Sequence, residues 1–153
     1  MVGFRGLEAC ADMPIMDRGA GVGVVKHQVN GAALAKLLQE WTSGRDNVEF
    51  LVVVERQVPF ARPGKGPGAS SIFSLGHTAG TIEGVAMARR LSYREVSPHT
   101  WKKAFKISGG KKGKDIARAL AQRLYPEADL ARVKDHNRAE SILIARWGYQ
   151  EHA

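Results

Sequence analysis

What this chain lacks narrows it first. Its 153 residues hold a single cysteine, Cys10, so no intramolecular disulfide can form. A reducing compartment is expected, with Cys10 serving as a small buried hydrophobe. No apolar run approaches the roughly 18 residues of a membrane span, and the N-terminus carries no signal-type apolar segment. A soluble, cytoplasmic protein without a membrane partner is expected. No His and Cys fall at zinc-ligand spacing, no nucleotide-binding glycine motif occurs and no segment repeats. Acid is scarce as well: 15 Asp+Glu stand against 23 Lys+Arg, a formal charge of +8. Such an excess points to an anionic partner, most commonly nucleic acid, although a ribosomal or membrane-surface role gives the same number. With 44% hydrophobic and 25% charged residues, one domain with a real core is expected.

Two stretches carry the chemistry that is present. Residues 134–148 open with Lys134-Asp135-His136-Asn137-Arg138, turn apolar and reach Gly148, which predicts a helix stopped by that glycine. At 100° per residue His136, Asn137, Glu140, Leu143, Ile144 and Trp147 share one stripe. Glu140 is then either a partly exposed acid in the first helical turn or a carboxylate aimed inward, which needs a partner, a proton or a metal. Phe50 to Val54 is an unbroken apolar and β-branched run, the pattern of a strand covered on both faces, and Glu55 follows at its carboxyl end. Sites in open α/β sheets form at that end, so Glu55 and Glu140 are candidate partners.

The rest of the chain supplies scaffold and charge. A first strand is predicted over Leu7–Cys10, closed by Asp12-Met13-Pro14, with a second around Val22, Val24 and Val25 after a glycine turn. Asn30 should cap a helix whose Leu34, Leu37, Leu38 and Trp41 line one face, ended by Ser43-Gly44. Residues 56–71 read as a Pro/Gly loop containing Phe60 and Lys65. The helix after Ser70 or Ser71 places Gly76, Gly80 and Gly84 in one stripe. Each costs about 1 kcal/mol relative to Ala, so close backbone approach, to a sheet or to a partner helix, should compensate. Tyr93–Val96 reads as a strand, and Ser97-Pro98 starts a short helix bearing Trp101-Lys102-Lys103. A mobile basic loop, Lys106 to Lys114, should bind phosphates through Lys111, Lys112 and Lys114, before a helix from Asp115 to Pro126.

The order of these parts carries a resemblance. Glu55 at a strand end, the helix with Ser74-Leu-Gly-His-Thr-Ala-Gly80, Pro98-x-x-Trp101-Lys102-Lys103, the basic loop and Asp135-His-Asn-Arg-Ala-Glu140 together resemble the phage and prophage branch of the RuvC-like Holliday junction resolvases. The match covers roughly residues 10–150. The resemblance implies a single RNase H-like α/β domain over residues 1–153, with a mixed central sheet flanked by helices. It also implies a homodimer that nicks four-way DNA junctions with Mg²⁺ or Mn²⁺. Carried over by motif, Glu55, Asp135 and Glu140 would be metal ligands, with His136, Lys102 and Lys114 also catalytic. Phe60, Lys65, Lys102, Lys103, Lys111, Lys112, Lys114 and Arg138 would contact DNA. Relatives begin with a strand of the type Gly-Ile-Asp-Pro-Gly, whose aspartate is the first metal ligand. Nothing like it precedes Asp12-Met13-Pro14, so the first strand is expected to be missing or altered. Two further readings stay open: a junction-binding protein without a full metal site, and a basic RNA- or ribosome-binding domain.

Overall fold

The computed structural model describes residues 1–3, 6–17, 27–59, 66 and 68–152. They form a mixed α/β architecture with five α-helices and short strands paired two by two. Strand β1 (Val2–Gly3) pairs with β2 (Gly6–Leu7), β3 (Ile15–Asp17) with β4 (His27–Val29), and β5 (Leu51–Glu55) with β6 (Ser92–Val96). The resemblance implies one mixed central sheet; the described strands make three two-stranded sheets. The chain divides into two compact units, one of Met1–Asp12, Leu51–Arg56 and Arg94–Ala153, the other of Met13–Phe50 and Gln57–Tyr93.

The second unit contains α1 (Gly31–Thr42) and α2 (Ala69–Ala88). The Asn30 cap forms as predicted, its Oδ1 accepting from the Ala33 N–H at 3.0 Å, and Ser43 closes the helix on the Gln39 carbonyl. Helix α1 buries Leu34 and packs on α2, with Gly31 close to Thr81 and Val85. Strands β3 and β4 run antiparallel, Ile15 opposite Val29 and Asp17 opposite His27. Val22, Val24, Val25, Phe60 and Lys65 lie outside the described residues.

The first unit holds the larger core, built on α3 (Pro98–Ala104), α4 (Gly110–Leu124), a 3-10 turn (Val133–Asp135) and α5 (His136–His152). Ser97 caps α3 through the Thr100 N–H, with Pro98 in the first turn, as the sequence predicts. Trp101, Leu130 and Leu143 are the largest side chains fully withdrawn from water. Around them pack Val96, Ile107, Ala117, Ala121, Ile142 and Trp147. The alanines of α4 let α5 lie close, and α5 also packs on β5.

Four expectations change. The predicted strand Leu7–Cys10 is only the second arm of a hairpin. Gly6 takes φ +106°, open to glycine, and residues beyond Leu7 leave the ladder, the Met1 ammonium donating to the Ala9 carbonyl. Cys10, on that irregular segment, is exposed rather than buried. Helix α4 begins at Gly110, not Asp115, so Lys111, Lys112 and Lys114 are helical. Gly110 supplies the turn with φ +76°, and a Cβ at Gly113 would collide with the Ser108 carbonyl. Helix α5 runs through Gly148 to His152. That glycine faces β5: a Cβ there would lie 2.5 Å from Val53 Cγ2 and 3.9 Å from Leu51 Cδ2. It permits contact rather than stopping the helix.

Candidate functional site

Glu55 ends β5, and strand alternation puts it on the same face as Val53, the residue that meets α5. Above it lies α3. The Trp101 ring is fully buried, and its indole N–H donates to Glu55 Oε2 at 2.7 Å. The next residue, Lys102, turns its ammonium to Glu140 Oε1 at 3.3 Å while lying 5.0 Å over the Trp101 ring. Strand β5 and helix α5 therefore bring their carboxylates to two consecutive residues of α3. The Lys102 and Glu140 side chains keep only 25% and 18% of their surface exposed. Charges that far out of water need a partner, and each has the other.

One turn before Glu140, His136 opens α5, and four-residue spacing places both on one face. Lys114 of α4 approaches His136 Nε2 to 3.4 Å. The row Glu55, Trp101, Lys102, Glu140, His136 and Lys114 thus collects five of the six residues that the sequence offers as catalytic.

The sixth, Asp135, is placed differently. It is buried at 3% exposure and wholly engaged by Arg132. The Arg132 backbone N–H donates to Oδ2 at 2.9 Å, and the guanidinium Nη2 reaches Oδ1 at 2.8 Å. The side-chain bonds of Arg132 hold the Asp135 carboxyl below the usual carboxylate range. Its observed part is to cap the 3-10 turn that leads into α5.

Arg138, predicted to contact DNA, is gripped by acids instead. It makes paired bonds to Asp12 at 2.6 and 2.8 Å and lies 3.7 Å from Asp129. The bond to Asp12 raises the guanidinium pKa and lowers that of Asp12. Lys103 and Lys112 are exposed to water. Sequence reading missed Trp101 as a partner of Glu55, which has no local signal because 46 residues separate them. It also missed Arg132, whose three-residue spacing to Asp135 was the available clue.

Among the described residues, no three His, Cys, Asp or Glu side chains gather as a metal-binding group. Two carboxylates joined by water and phosphate oxygens are what a single Mg²⁺ or Mn²⁺ commonly takes. Glu55 and Glu140 have the donor chemistry for one such ion; in the structure Glu55 accepts from the Trp101 N–H, and Lys102 supplies the positive charge at Glu140. A two-ion centre needs further carboxylates to hold both ions, and the described residues do not provide them. No family model matches the sequence, and no curated protein matches it.

Proposed function

We propose that the chain is a structure-selective endonuclease for branched DNA, of the RuvC-like, RNase H-like kind its motifs resemble, acting as a homodimer on four-way junctions. One observation carries the reading: Glu55 and Glu140, from a strand end and a helix, meet the consecutive Trp101 and Lys102 of the Trp-Lys-Lys motif. The +8 charge and the exposed Lys103 and Lys112 support a polyanionic partner.

A bound divalent ion would polarise the scissile phosphate and lower the pKa of an attacking water. The other tasks fall to the chain itself. Glu55 and Glu140 would hold the ion, Glu55 with its carboxylate fixed by the Trp101 N–H. Lys102, released from Glu140, would neutralise the phosphate. Lys114 and His136, 3.4 Å apart, would hold the same phosphate, with the imidazole as the group placed to pass a proton.

With two carboxylates rather than a fuller set, the expected product is firm junction binding with slow cleavage. The ion pair Lys102–Glu140 and the engagement of Asp135 by Arg132 favour, as a second reading, a junction-binding protein that does not cut. Junction nicking in Mg²⁺ or Mn²⁺ tests both. Glu55→Gln should lower cleavage by orders of magnitude and leave junction affinity unchanged or higher, because a repulsive carboxylate is removed. Equal cleavage by the two proteins would remove Glu55 from the site. No cleavage by either, with junction preferred over duplex, would establish the second reading.

A further inference from the structure

Formal charge sets what the site can hold. Two carboxylates and a phosphodiester carry three negative charges, and one divalent ion with one ammonium carries three positive ones. Lys102 is that ammonium, 3.3 Å from Glu140 Oε1. A second divalent ion would leave two positive charges in excess. Lys102 and Glu140 keep only 25% and 18% of their surface exposed, so little water would be at hand to screen that excess. Lys114 is exposed, and its charge is screened by water.

The ammonium is held in place. It lies 5.0 Å over the ring of Trp101, a fully buried side chain whose N–H also fixes Glu55. An ammonium is attracted to an indole face, and more strongly where water is excluded. One buried ring therefore anchors an acid of the site and the site's own cation. The acid that a second ion would need is already engaged: Asp135, 3% exposed, accepts from Arg132 through both oxygens. Among the described residues no third carboxylate joins Glu55 and Glu140 in a metal-binding group.

We propose that Lys102 is the second cation of this site, in the role that a second divalent ion takes in a two-ion centre. The chain then takes up one Mg²⁺ or Mn²⁺ through Glu55 and Glu140, and Lys102 passes from Glu140 to a phosphate oxygen. This rests on the nuclease reading above for the anion that Lys102 meets. Its test counts ions on the protein without DNA, so its failure and the failure of the nuclease reading are separate outcomes.

The experiment is calorimetric titration of the full chain with Mn²⁺, with circular dichroism of each variant. The wild-type chain should take one Mn²⁺. Lys102→Met keeps an unbranched apolar stem and loses the charge that competes for Glu140. It should still take one ion, held about tenfold more tightly or better. Lys102→Glu exchanges the ammonium for a third carboxylate, which a second ion otherwise lacks, and should raise the count to two. Two ions on the wild-type chain overturn the inference, as does a Lys102→Met chain that binds Mn²⁺ no more tightly than wild type. A count of one on a folded Lys102→Glu chain overturns it as well; should that variant lose its helix content, the first two titrations decide. Junction nicking is scored apart. The expected counts without nicking keep the second cation and remove the nuclease, whereas nicking by a wild-type chain with two ions does the reverse.

Discussion

The Trp101 side chain does two things at once: its ring fills the core and its N–H fixes one oxygen of Glu55. Trp101→Phe removes the donor and, with the fused ring, part of the core filling, so a cavity cost adds to the lost hydrogen bond. A hydrogen bond to a charged group contributes about 2 kcal/mol, and a loss larger than that should appear in chemical denaturation. Junction affinity should persist while Mn²⁺ affinity, read by calorimetry, falls; unchanged Mn²⁺ binding would mean that Glu55 needs no such anchor. Asp135 makes a pH prediction. Its carboxyl titrates lower in the folded chain than the ordinary value near 3.9, first because of the Arg132 side chain. A depressed folded value means stability that is present above about pH 4 and is lost as pH falls through the folded value. Asp135→Asn should therefore lower Tm at neutral pH and flatten its acid decline, measured between about pH 7 and pH 3. Glu55 and Glu140 were legible as candidates because an acid after an apolar run or inside an apolar stripe is locally anomalous. Their meeting point on α3 was not, because nothing local links residues 46 and 38 positions apart.

Helices announce themselves through their ends, and where the ends carried side-chain caps the sequence placed them well. Asn30 and Ser97 each accept from the N–H three residues on, and α1 and α3 start where they should. Helix α4 has no side-chain cap; it starts on Gly109-Gly110, a pair that reads as loop. Lys111 and Lys112 now stand in a first turn whose free N–H groups and dipole also favour anions, and Lys114 opens the next turn. Replacing Lys111, Lys112 and Lys114 by Ala should reduce the slope of log K against log salt for junction binding by about two to three units. An unaltered slope would make the turn a merely solvated one. Arg138→Ala gives the contrasting outcome at the other end of the unit. Its guanidinium is occupied by Asp12 and Asp129, so the salt slope should stay as it is while Tm falls.

Over the whole molecule, the α/β class and the succession of helices could be read from periodicity, whereas the strand partners could not. A strand's apolar pattern says that its faces are covered and not which segment pairs with it, and β5 finds only β6 among the described residues. The contact of α5 with β5 was equally hidden, since a glycine near a helix end reads as a stop. Yet that contact acts as a gauge block. With no side chain at position 148, α5 descends onto Val53 until backbone meets methyl, and this sets the height of everything else on the helix. Glu140 stands about 12 Å along the same rod, and Glu55 is two residues beyond Val53, so one spacer calibrates the gap between the two acids. Gly148→Ala should cost about 1 to 3 kcal/mol, the usual penalty of overpacking, and should also weaken Mn²⁺ binding at a distance, as a thicker shim would. Val53→Ala, added to it, removes the opposing methyl groups and should bring Mn²⁺ affinity back; recovery of stability alone would show that the acids take their spacing from α3 instead.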